Sequence, residues 1–236
     1  MSEGRRGSIV AALRVVAGQL AVIISGVLIA LWVDEIRQDR ADRSEELVLI
    51  EVLRDEYVEN RLQLDVQMGY YERRWLAQST LLELGPVAQE LGSDSVNTLW
   101  MWALRPGTYD PGDGALTTVL TSGDLSLLRD VELRKLLARW QSALDNFGDA
   151  ETQHNDLAFE FVAWLRETTV VPPSLGEVSG YTPEADADYS VVLAELRTKN
   201  CLRSLIGYWG FIKVVSDGAY ELLDTTVAHL DHSLTR

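Results

Sequence analysis

Apolar positions along this chain follow two rules in succession. From Val15 to Val33 they are nearly continuous, VVAGQLAVIISGVLIALWV, with Gln19 as the one strongly polar side chain and Asp34 and Glu35 directly after. At about 1.5 Å rise per residue, such a helix reaches across a hydrocarbon core of roughly 30 Å. From Asp34 to Leu84 the apolar positions instead recur at intervals of three, four and seven: Leu47, Ile50, Leu53, Tyr57, Leu64, Met68, Tyr71, Trp75 and Leu82. That is one stripe of an amphipathic helix, and the spacing predicts that the span runs directly into a long stalk helix. The first part of the stalk, DEIRQDRADRSEE, carries mixed charges all round and reads as a solvated surface.

Beyond Leu84 the punctuation predicts helices of two lengths. Gly85-Pro86 interrupts the stripe, and Ser93 or Asp94 is expected to cap a short helix through Leu104 that Pro106-Gly107 closes. A second short helix runs from about Gly114 to Thr121 and ends at Ser122-Gly123. Asp130 precedes a long periodic segment from Leu133 through Trp140 and Phe147 to Leu165. The stretch 167–182, with Pro172-Pro173, Gly176 and Gly180, reads as a loop. Thr182-Pro183 then opens a third long helix through Val191, Leu205, Trp209 and Leu230. No alternating strand pattern competes. The expected fold is all-α: a short tail (1–14), a transmembrane helix (15–33), and a helical stalk and up-and-down bundle (34–236) of about three long and two short helices.

The ends of the apolar run favour an uncleaved anchor over a secretory signal peptide, because Trp32 stands where cleavage requires a small residue. Arg5, Arg6 and Arg14 before the span nearly balance Arg37, Arg40 and Arg43 after it. A short cytoplasmic tail with an exported domain is the commoner solution for one amino-terminal anchor. It places the large soluble part outside the cytoplasm. Within the span Ala17, Ala21 and Ser25 recur every four residues, with Gly26 and Ala30 beside them. Small residues at this interval let helix backbones approach closely, so these five are the candidates for helix association.

Charge and residue chemistry narrow the function classes. Asp and Glu total 36 against 21 Lys and Arg, a net charge of −15, which argues against nucleic-acid partners. The single Cys201 forms no internal disulfide and reads as a buried structural thiol. Glu184 to Glu195, EADADYSVVLAE, has the acidic spacing of a calcium-binding loop, yet Tyr189 sits where the sharp turn needs glycine. An acidic helix start explains the same residues. His229 and His232 lie three apart without a third ligand, and His154, flanked by Gln153, Asn155 and Asp156, reads as exposed. Trp75, Trp100, Trp102, Trp140, Trp164 and Trp209 are expected in the core, and Trp32 at the membrane interface. No hydrolase, zinc-protease or phosphate-loop motif occurs. No catalytic residue, cofactor or metal is therefore assigned.

Two stretches carry a resemblance. Leu28, Ile29, Ala30, Leu31 and Asp34 match the end of the span in an uncharacterised family of bacterial membrane proteins, a domain of unknown function. Leu120, Ser122, Gly123, Leu125, Leu127, Leu128, Asp130, Glu132, Leu133, Arg134 and Leu137 match that family's later signature. The chain departs from it at Ile36, where tryptophan is usual, and at Arg139-Trp140, where a tyrosine pair is usual. The resemblance implies a single-pass protein with a helical soluble part and implies no activity. With the soluble part outside the cytoplasm, membership of such a bacterial family would mean an inner-membrane anchor with a periplasmic domain. Read physically, Gly123 closes one helix, the three leucines bury the crossover, and Asp130 caps the next helix.

The expected function is a non-enzymatic envelope interaction or scaffold component, self-associating or paired with a membrane protein, with the lipid bilayer as its first partner. The alternative is a membrane-anchored sensor that binds an apolar or cationic small molecule between helices. A hydrolase with an unfamiliar site ranks third.

Overall fold

The structure, a computed structural model, describes residues 3–169 and 188–235, with side chains from position 20 onward except 21 and 22. Six α-helices lie among the described residues: α1 Glu3–Leu84, α2 Ser93–Leu104, α3 Gly114–Ser122, α4 Val131–Thr168, α5 Ser190–Ala194 and α6 Leu196–Leu234. A 3₁₀ segment, Gly85–Leu91, joins α1 to α2. The chain divides into two compact units, Met1–Leu49 and Ile50–Arg236. In the first unit α1 exposes Leu20, Ile23, Ile24, Val27, Leu28, Ile29, Leu31 and Trp32, each at 50% or more. Among the described residues no helix is long and apolar enough to cross a membrane. The expected transmembrane helix gains no support there; positions 15–19, 21 and 22 of the Val15 to Val33 run lie outside the described side chains.

In the second unit the expected stripe on α1 is the inner face, with Ile50, Leu53, Tyr57, Leu64 and Tyr71 at most 2% exposed. Cross-helix pairs give the direction of each neighbour. Tyr57 meets Trp140 and Tyr71 meets Phe147, so α4 runs parallel to α1. Arg54 pairs with Asp231 at 2.5 Å and Arg61 with Asp224 at 2.9 Å, so α6 runs antiparallel to α1. Between α1 and α4 in sequence, α2 and α3 return antiparallel to α1: Gln78 Nε2 donates to Ala103 O at 2.8 Å, and Asn60 Nδ2 to Gly112 O at 2.7 Å. The unit is therefore an up-down-up-down bundle whose second member is broken by the loop Arg105–Asp113. Trp100 of α2 fills the core between Phe161 of α4 and Tyr189, with ring centroids 6.0 and 5.9 Å away.

Local chemistry sets several helix ends as expected. Gly123 closes α3 at φ 83°, which glycine adopts without a Cβ penalty. The Asp130 carboxylate caps α4, accepting from Glu132 N at 2.8 Å and Leu133 N at 3.1 Å, and faces His229 Nδ1 at 3.0 Å. The hydrogen bond from His229 holds the Asp130 carboxyl below its ordinary range. Two expectations are corrected. Neither Ser93 nor Asp94 caps α2, because Gly92, at φ 87°, takes the cap position without a side chain to donate or accept. The third long helix is not continuous: Glu195 is extended, at ψ 138°, and separates α5 from α6. The proposed Thr182-Pro183 start lies outside the described residues, as does most of the 167–182 loop.

Candidate functional site

Buried Asn60, Arg74, Gln78, Glu151, His154 and Asn155 gather around the broken member of the bundle. Its loop, RPGTYDPGD, presents backbone N–H and C=O groups that no helix satisfies, so other elements must supply partners. Two asparagines act as artificial backbone. Asn60 of α1 donates from Nδ2 to Gly112 O and accepts from Gly112 N at 2.8 Å. Asn155 of α4 does the same to Gly107, donating at 2.9 Å and accepting at 3.3 Å. Glu56 of α1 receives Ala115 N at 2.6 Å and Leu116 N at 3.1 Å, and so caps α3 from another helix. Gly107 is required by close approach: a Cβ there would sit 2.8 Å from Tyr71 Cε1 and 3.1 Å from Arg74 Nη1.

Arg74 lies at the centre, 3% exposed. Its Nη2 donates to His154 Nδ1 at 2.7 Å and to Asn155 Oδ1 at 3.2 Å, while Nε and Nη1 have no partner among the described residues. Because Nδ1 of His154 accepts, the ring is neutral on that side. Burial, reinforced by the Arg74 charge, pushes the His154 pKa down to about 3. Beside it, the Glu151 carboxylate accepts from Tyr71 Oη and from Tyr109 N. Burial nonetheless raises the Glu151 carboxyl to about 7, outweighing those bonds and the nearby guanidinium. Burial also lowers Arg74 to about 10, so it stays charged at neutral pH. Arg74 makes no ion pair with any carboxylate among the described residues.

A cavity of about 230 Å³ opens beside Arg74, walled by Gln67, Tyr70, Trp102, Arg105 and Thr108. The Tyr70 and Trp102 rings stack at 6.2 Å and 20°. Arg105 lies over both rings, at 5.6 and 5.2 Å, and Arg73 lies over Trp102 at 5.5 Å. The chemistry offered is recognition of negative charge by a desolvated guanidinium, beside a flat aromatic wall.

The expected site residues fare differently. Ala17 and Ala21 lie outside the described side chains, while Ser25, Gly26 and Ala30 are exposed on α1. His229 binds Asp130 and His232 is exposed, and among the described residues no group of three His, Cys, Asp or Glu could hold a metal. Glu184 to Asp186 lie outside the described residues, and Glu195 marks a helix break. Cys201 is half-buried against the core, and burial raises its thiol pKa. Of the tryptophans expected in the core, Trp100 and Trp140 are fully buried, whereas Trp75, Trp102, Trp164 and Trp209 are half-buried. His154, expected at the surface, is 3% exposed. Its polar sequence neighbours hid that position, because Asn155 is itself turned inward onto Gly107. A signal for the cluster does exist in the chain. Asn60, Gln67 and Arg74 recur every seven residues on the apolar stripe of α1, which puts polar side chains where a uniform core would carry leucine.

Comparison with protein-family models, with curated proteins and with solved structures finds no match to this chain.

Proposed function

We propose that this chain is a non-enzymatic, single-pass protein of a bacterial inner membrane, whose helical bundle works in the periplasm and whose anchor helix associates with a second copy. The observation that carries the reading is the first unit of α1, where apolar side chains from Ile23 to Val33 are exposed on every side of the helix with no charged residue among them. An apolar surface all round a helix has no face to give to water, and a lipid environment suits it. Trp32 at the end of the run, followed by DEIRQDR, fits an interface with headgroups. The sensor reading is favoured second, by the cavity beside Arg74. Arginine in its walls fits the cationic ligand considered from sequence poorly.

Two experiments test the proposal. The chain is expected to stay with membranes through alkaline carbonate. A cysteine placed at the exposed Ser142 in a Cys201→Ser background is expected to react with an impermeant maleimide once the outer membrane is opened. Release by carbonate overturns the anchor, and protection until lysis overturns the periplasmic placement. For association, Gly26→Ile is informative because a side chain there meets nothing within 4 Å in the single chain. The variant is expected to weaken the detergent oligomer by roughly tenfold or more, as packing between small residues is lost. An unchanged oligomer overturns association through this face.

A further inference from the structure

We infer that the cavity beside Arg74 is a binding site for a small organic oxyanion, a carboxylate or phosphate received by the Arg74 guanidinium and covered by the Tyr70–Trp102 wall. This deepens the sensor reading above and is independent of the anchor. Arg74 is 3% exposed, its Nε and Nη1 have no hydrogen-bond partner among the described residues, and the acid whose charge reaches it, Glu151, makes no ion pair with it and is raised by burial to about 7. A buried cation left in that state is costly, and an incoming anion supplies the missing counter-charge. The groups already bound to Arg74, His154 Nδ1 and Asn155 Oδ1, are neutral acceptors that orient the guanidinium without cancelling its charge.

The surroundings fit the same ligand. Arg105 and Arg73 add positive charge at the rim, held over aromatic rings, in a chain whose net charge is −15. Concentrating three arginines at one recess of an acidic protein produces a local field that draws anions. The stacked Tyr70 and Trp102 rings give the organic part of the ligand a flat apolar surface. At about 230 Å³ the cavity lies below the roughly 300–1,000 Å³ of pockets for drug-sized ligands, which suits a small acid. Gly107 sets the depth of the cavity, since any side chain there would press on Tyr71 and Arg74.

The test is calorimetric titration of the full chain in detergent micelles, at low salt, with benzoate, phenyl phosphate, inorganic phosphate and the neutral benzyl alcohol. At least one anion is expected to bind, with affinity falling roughly 30-fold or more in Arg74→Met and several-fold in Arg105→Gln. Circular dichroism checks that each variant keeps its helices. If Arg74→Met does not fold, the half-buried Arg105→Gln and the salt dependence of binding decide the matter in its place. Binding of benzoate without phosphates assigns a carboxylate ligand; the reverse assigns a phosphate. Anion binding untouched by the variants overturns the site. Binding of benzyl alcohol alone overturns the anion assignment while leaving a ligand-binding bundle, and no heat from any probe at millimolar concentration overturns both.

Discussion

Replacing Glu151 by glutamine is expected to change how stability depends on pH, in a direction opposite to the replacement of His154 by asparagine. The two groups sit on one turn of α4 and are shifted by the same burial, with opposite consequences. Glu151 is raised from 4.5 to about 7 in the fold, so the folded chain holds a proton that the unfolded chain has released. Its contribution is fully present below pH 4.5 and is lost as pH rises through 7. His154 is lowered from 6.5 to about 3, so the folded chain rejects a proton that the unfolded chain takes up. Its contribution is present above pH 6.5 and is lost as pH falls toward 3. Between the two unfolded values the slopes oppose and largely cancel in the parent protein.

Glu151→Gln keeps an oxygen for Tyr71 Oη and Tyr109 N but cannot ionise. Relative to the parent it is expected to gain about 2 kcal/mol between roughly pH 5 and pH 8. His154→Asn keeps an acceptor for Arg74, and relative to the parent it is expected to gain a similar amount as pH falls from about 6.5 to 4. Urea midpoints measured across this range check both. A stability difference from the parent that stays constant with pH in either variant would remove the corresponding group from the account.

Trp100→Ala is expected to cost about 4 kcal/mol, the largest single effect in the bundle. The indole is fully buried and lies between Phe161 and Tyr189, where α2, α4 and the entry to α5 meet. Tyr189 is itself fixed at both ends, by its Oη to Asn97 Oδ1 at 3.0 Å and its N to Gln89 Oε1 at 3.1 Å. A rigid surround of this kind collapses little into the space an alanine would leave. Trp100→Phe is expected to cost below about 1.5 kcal/mol, since it keeps aromatic packing and removes an indole N–H that has no partner among the described residues. Denaturant unfolding distinguishes the two variants; an alanine cost under about 1 kcal/mol would mean that α2 is not anchored by this side chain. Because α2 also carries Trp102, the alanine variant is further expected to weaken anion binding beside Arg74.

Much of the helical order can be read along the chain, because the interactions that produce it are local. The stripe from Ile50 to Leu82 repeats within one helix, Gly123 closes α3 through its own φ, and Asp130 caps residues two and three positions away. Pro106 and Gly107 stop α2 for equally local reasons. The site is of another kind. Arg74 meets His154 eighty positions later, Glu56 caps a helix fifty-nine positions away, and Asn60 and Asn155 grip one loop from different helices. No periodicity records such pairings. His154 looked exposed because the residues beside it are polar, and it is buried because those residues find partners across the bundle. Likewise, the break at Glu195 has no glycine or proline to announce it and accompanies the docking of Tyr189 and Val192 into the core around Trp100. Helix identity and the ends at Gly123 and Asp130 were thus determined by short-range backbone and side-chain chemistry, whereas the start of α3 under Glu56 and the break at Glu195 were not. Which polar residues of α1 and α4 turn inward, and that Arg74 is buried without an ion pair among the described residues, was decided only when those two helices packed against one broken helix and had to satisfy its backbone.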